Sequence, residues 1–238
     1  MALELIPPIL QASMQGSQAV TRSESGKALG VREWPRLPRN FYDRDPRRVA
    51  RALLGKLLVR REGQRFLAGR VVEVEAYLHD DPAAHSFIGK TDRNFVLWGP
   101  PGISYVYFIY GNHYLFNVSC LPDGVAGGVL FRAVEPLIGI REMARRRDLS
   151  DIDLSDKRQL RWLTSGPGRL AEAFGITKQR DNEKDLTSAK SDLWIADDGD
   201  SRPQVKVTTR IGITKGAERP LRYVVAGSPF VSGKKILD

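Results

Sequence analysis

Between Phe66 and Leu78 the side chains alternate: Val72, Val74, Ala76 and Leu78 point one way, and Glu73, Glu75 and Tyr77 the other. A period of two is satisfied by an extended strand and not by a helix. More such runs follow. Ser104–Tyr110 and His113–Ser119 read as a hairpin turned at Gly111-Asn112, a dipeptide suited to a two-residue primed turn. Val129–Val134, Val205–Ile213 and Leu221–Val225 read as further strands. Helical spacing marks Pro46–Leu58, with Asp45 as its cap, and Leu137–Arg147; Ser165-Gly166-Pro167-Gly168 marks a turn or helix entry. No fixed-period repeat occurs, which excludes solenoids. The expected fold is α+β: a single mixed domain over 36–238, with a curved, largely antiparallel sheet flanked by helices and a protruding β-hairpin. Residues 1–35 read as a disordered tail rather than a signal peptide, since they lack amphipathic period and a basic start.

A chain of 238 residues can bury a substantial core, and its net charge of +9 suits a partner rich in phosphates. Much of the excess is local: 36–70 carries eleven Arg and Lys against Asp43, Asp45 and Glu62, and each of those cations taken singly reads as a solvated charge. No run approaches the roughly 18 to 20 apolar residues of a spanning helix, so no membrane partner is expected. The one cysteine, Cys120, cannot form an internal disulfide and reads as a small buried hydrophobe; with His79, His85 and His113 it makes no metal-binding spacing. No metal and no cofactor are expected. The compartment expected is intracellular, with the genome, whether cytoplasm and nucleoid or nucleus.

Several residues carry possible chemistry. Glu73 and Glu75 share a strand face, where like charges repel unless a cation separates them; otherwise the face is an ordinary solvated one. Arg132 stands inside an apolar strand, where an unpaired charge is costly, and Glu75 is a suitable partner for it. Tyr105 and Tyr107 share one face of the hairpin. Tyr110, of opposite parity beside the turn, is wide, flat and amphipathic, as a side chain replacing a stacked base must be. Asn117 offers a donor and an acceptor on the return strand, and His85 follows the glutamate strand on a loop.

The runs Arg70–Tyr77, Ala84-His85-Ser86, Pro101-Gly102 through Tyr105–Gly111, and Phe131–Pro136 together resemble the 3-methyladenine (alkyladenine) DNA glycosylase family. The likeness extends from about Phe41 to Pro229 and is looser at 79–82, 87–90 and 95–98. It implies a monofunctional DNA glycosylase of base excision repair, flipping alkylated or deaminated purines from duplex DNA and hydrolysing their N-glycosidic bond. By this likeness Glu75 activates water, Arg132 holds it in concert, and the Ile211 carbonyl completes the cradle. Tyr77, His85, Tyr107 and Asn117 form the base pocket, and Tyr110 intercalates. The partner implied is double-stranded DNA containing damaged purines, bound by a monomer. Two other readings stay open: a non-catalytic binder of damaged or distorted DNA, and an enzyme acting on RNA or free nucleosides.

Overall fold

In a computed structural model of the chain, the described residues are 21–22, 28–31, 34–109, 111–200 and 203–233. Two strands, β1 (Thr21–Arg22) and β2 (Ala28–Leu29), pair as a short ribbon. The rest is built on one antiparallel sheet: β3 (Leu57–Glu62), β4 (Arg65–Tyr77), β5 (Ser104–Ile109), β6 (His113–Ser119), β7 (Gly128–Ile138), β8 (Leu193–Ala196), β9 (Val205–Thr208) and β10 (Arg222–Val225). The order is β5-β6-β7-β4-β10-β9, with β3 joining β4 to β8. β4 is the spine. Along one edge it pairs with β7 over most of its length; along the other its first half pairs with β3 and its last residues with β10. A strand that changes partner midway cannot stay flat, and the sheet curls into a half-barrel.

The helices are α1 (Arg39–Tyr42), α2 (Pro46–Leu53), α3 (Ile140–Arg146), α4 (Lys157–Thr164), α5 (Pro167–Ala173) and α6 (Lys178–Asp181). Val49 and Leu53 of α2, Leu163 of α4, and Leu170 and Ala173 of α5 are fully buried against one sheet face, which supplies Val74, Val106, Phe116, Val118, Phe131 and Ala133. Phe116 and Phe131 stack there with centroids 4.8 Å apart. Burying side chains of this size stabilises the fold by about 1.5–3 kcal/mol each. The opposite face is thereby left to line a cavity.

Several element boundaries differ from expectation. α2 is capped by Asp45, which accepts from the Arg47 N–H at 2.8 Å, but it ends at Leu53; Leu57 and Leu58 instead pair with Arg70 and Gly69 in β3. β7 runs on to Ile138, where sequence reading had started a helix. Pairing with Ala68 keeps the chain extended until Gly139, at φ +74°, turns it into α3. β9 ends at Thr208, so Ile211 stands in a loop. The hairpin pairs Ile109 with His113, so three residues rather than the expected two connect its strands, with Gly111 at positive φ (+74°).

The proposed tail falls mostly outside the described residues. Of its described part, Val31 and Trp34 are buried beside Val59, Leu57 and Trp194, so packed structure reaches back at least to Val31. Nor is every cation of the basic stretch solvated. Arg60 has no exposed surface, and its Nη2 donates to the equally buried Asp181 at 2.8 Å. Among the described residues no helix is long and apolar enough to cross a membrane.

Candidate active site

Strand register assembles the site. Residues directly opposed in an antiparallel sheet project to the same side, and one row crosses four strands and reaches a fifth: Tyr105 opposes Asn117, Asn117 opposes Leu130, Leu130 opposes Glu75, and Glu75 opposes Arg222. Two residues along their strands, Tyr107 and Leu115 on one side of this row and Gly128 and Tyr77 on the other continue the same surface. Together with His85 on a 3₁₀ turn (His85–Ile88), the Gly166–Arg169 start of α5, and the loop at Ile211–Ile213, they line a cavity of about 460 Å³.

Arg132 reaches this row through an irregularity. The β4–β7 register shifts twice between Val71 and Val74, leaving Val72 and Arg132 without opposed partners and restoring the alignment beyond them. A bulge re-aims the side chain it carries. Arg132 lies between the two glutamates: its Nε donates to Glu73 Oε1 at 2.9 Å, and its Nη1 is 3.2 Å from Glu75 Oε1. Both carboxylates are completely buried. The glutamate face is therefore no solvated sheet face, and a cation does separate the like charges.

The two acids are held very differently. Glu73 accepts from Arg132, from Arg222 Nε (2.7 Å), and from the Ser232 N–H (2.5 Å) and hydroxyl (2.9 Å). It is a structural hub. Glu75 Oε1 accepts from the Ile211 N–H at 2.9 Å and faces Arg132, while Oε2 accepts one bond, from the Tyr77 hydroxyl at 3.0 Å. The family likeness assigns Ile211 a role through its carbonyl; the contact made here is through its N–H. Burial lowers the Arg132 pKa, but Glu75 and Glu73 outweigh it and leave the guanidinium more firmly protonated than usual. Burial, with the Glu75 charge second, pushes the Tyr77 phenol up.

His85, Tyr105 and Tyr107 make an aromatic part of the cavity wall. The His85 ring sits 4.4 Å from that of Tyr107 at 61°, and its Nδ1 is 2.9 Å from the Tyr105 hydroxyl. Burial, and secondarily the Arg93 charge, lowers the His85 pKa, which favours the uncharged imidazole. Burial raises the Tyr105 phenol to about 12, keeping its proton available to that nitrogen. Asn117 is buried beneath these rings, with Nδ2 donating to the Tyr105 carbonyl at 3.1 Å.

The structure thus gathers Tyr77, His85, Tyr107, Asn117, Arg132 and Ile211 around one cavity, with Glu75 directly behind its wall. Tyr110 lies outside the described residues. His113 lines the cavity beside α5, where a side chain on Gly168 would collide with its ring. Sequence reading missed Arg222, Ser232, Tyr105 and the buried pair Asp81–Arg210. Arg222 carried the same signal as Arg132, a charge within an apolar strand. Tyr105 carried only its shared hairpin face with Tyr107, and its partner His85 is 20 residues away; Ser232 and the Asp81–Arg210 pair carried no signal, because their side-chain partners are 100 or more residues away. Among the described residues, no group of three or more His, Cys, Asp or Glu is placed to hold a metal ion.

The model of the Methylpurine-DNA glycosylase (MPG) family matches residues 40–229. Three relatives carry the name "Putative 3-methyladenine DNA glycosylase". The protein of Koribacter versatilis is 63% identical over 202 residues, covering 84% of this chain and 95% of its own length. That of Methanoculleus marisnigri is 46% identical, covering 82% and 98%, and that of Burkholderia lata 45%, covering 84% and 93%. A match that spans every residue of the cavity wall, with relatives this similar over nearly their whole length, means that the chain belongs to the methylpurine-DNA glycosylase family, hydrolases that act on DNA.

Proposed function

We propose that this glycosylase draws an alkylated or deaminated purine out of duplex DNA into the cavity and hydrolyses its N-glycosidic bond with a water activated by Glu75. The observation that carries this reading is the buried Glu75 carboxylate, held by the Ile211 N–H, Arg132 and the Tyr77 hydroxyl behind an aromatic cavity. A protein that only binds DNA gains nothing from an acid so costly to bury. Oε1 accepts the Ile211 N–H and faces the Arg132 charge, whereas Oε2 accepts the Tyr77 hydroxyl alone and keeps a lone pair for water. The water gives its proton to Oε2 as its oxygen bonds to the anomeric carbon; the carbon–nitrogen bond breaks, and its electron pair leaves with the base. The carboxylate also opposes the positive charge that builds on the sugar, as in glycoside hydrolysis. Glu75 has no exposed surface, so the side chains over it must yield as the sugar enters.

The flipped base lies between Tyr77 and the Tyr107–His85 pair. A positively charged base gains about 0.5–2 kcal/mol from aromatic faces over a neutral one, and an uncharged His85 does not oppose it. Asn117, anchored to the Tyr105 carbonyl, crowds the 2-amino group of normal guanine, which is selection against the wrong substrate. Arg93 and Arg169, exposed near the cavity, suit the phosphate backbone. Every residue invoked comes from one chain, so a monomer suffices. Tyr110, by the family likeness, holds the gap left in the stack.

The test is release of free base from duplexes carrying a single 3-methyladenine, 7-methylguanine, hypoxanthine or ethenoadenine. Release of at least one, with strand breakage only after alkali, is expected; binding without release from any of the four would leave the non-catalytic reading standing. Tyr110→Ala is expected to weaken duplex binding and duplex excision by about tenfold or more, at the scale of one lost base stack. Release from single strands should change little, and equal loss on both substrates would remove the wedge.

A further inference from the structure

Arg210, buried and not among the residues lining the cavity, places its guanidinium carbon 4.7 Å from the centre of the Tyr77 phenol ring. Arg210 is a clamp by position. Its Nη1 donates to the Ala76 carbonyl at 3.2 Å and its Nη2 to the Gly216 carbonyl at 3.3 Å, while the next residue supplies the N–H that holds Glu75. The clamp brings a full positive charge against the platform on which the base would stack. A base about 3.5 Å above the other face would then lie about 8 Å from the guanidinium, with the ring between and little water to screen it.

Asp81 meets that charge. Its Oδ1 accepts from Arg210 Nη2 at 2.9 Å, and its Oδ2 from Nη1. Neither side chain has any exposed surface. Asp81 is itself anchored by the Ala83 N–H (3.1 Å) and has a second cation, Arg219 Nη1, at 3.8 Å. Removing Arg210 therefore leaves Asp81 partnered, whereas removing the Asp81 charge leaves Arg210 hydrogen-bonded to carbonyl oxygens, with only the weaker influence of the more distant Glu75 charge.

We propose that the buried Asp81–Arg210 pair sets the cavity's choice between positively charged and neutral bases, Asp81 cancelling the charge that Arg210 would otherwise present through the Tyr77 ring. Both are positioning residues, acting through Tyr77. The proposal rests on the reading of the cavity as a purine pocket and adds to it that charge preference is tuned from behind the ring.

The experiment measures single-turnover release of 7-methylguanine, which is cationic, and hypoxanthine, which is neutral, from otherwise identical duplexes. Asp81→Asn is expected to lower the ratio of the two rates by about tenfold, the scale of one uncompensated charge at this distance in a partly polar medium. Arg210→Gln is expected to raise it. A purely structural role would slow both bases together and leave the ratio unchanged in both variants, which overturns the proposal. Should circular dichroism show Asp81→Asn unfolded, Arg210→Gln decides alone: a raised ratio supports the proposal and an unchanged or lowered one overturns it. Wild-type protein releasing neither base would instead overturn the purine-pocket reading, and this proposal with it.

Discussion

Glu75→Gln is expected to reduce base release by about 10²–10⁴-fold, the usual worth of a positioned general base, while binding to duplex DNA containing an abasic-site analogue persists. The substitution preserves size. The amide oxygen can still accept from the Ile211 N–H at the Oε1 position, and the amide nitrogen can donate to the Tyr77 oxygen in place of the bond seen there. What is lost is the capacity to take a proton from water and to oppose charge on the sugar. In the proposed reading, binding relies on the aromatic walls and on cations at the protein surface, none of which changes. Single-turnover base release and electrophoretic mobility shift, run side by side, separate the two. Wild-type release by the variant would end the mechanism, and loss of both activities together would mean that Glu75 builds the site rather than works in it.

The second large effect falls on stability. Glu73→Ala should cost about 3–5 kcal/mol, because it strands buried cations rather than merely deleting a contact. Arg132 and Arg222 are 7% and 4% exposed, and both give their Nε to Glu73 Oε1; Ser232 gives it an N–H and a hydroxyl. For a chain of this size the expected fall in Tm is about 10 °C or more, with a matching fall in urea midpoint. Glu75→Gln should move Tm far less, since its hydrogen-bonding groups keep partners. A Glu73→Ala protein melting within about 2 °C of the wild type would show that the hub does not hold the sheet together. The contrast between two glutamates with a single residue between them follows from their hydrogen bonds, four against two, and from what the donors are.

Much of this was open to reading along the chain. The alternation at Phe66–Leu78 sets β4 and puts Glu73, Glu75 and Tyr77 on one face, because side-chain direction in a strand depends only on parity. The hairpin, the Asp45 cap and the cost of a lone arginine at Arg132 are likewise local facts. Element ends were less legible. Leu57 and Leu58 continue a helical spacing, yet pairing with β4 claims them; Leu137 and Ile138 suit a helix, yet the β4 edge keeps them extended until Gly139.

The sequence by itself determined the alternating strands, the carboxylate face and the family likeness, since each depends on residue identity and near-neighbour spacing. Only the tertiary structure decided which glutamate is saturated and which keeps a free lone pair. It also decided that Arg132 stands between them on a bulge, and that Asp81 and Arg210, 129 residues apart, meet beside Tyr77. The reason is physical. A charge buried without water takes whatever partner the fold brings within about 3 Å, and register across four strands, not order along one, sets that choice.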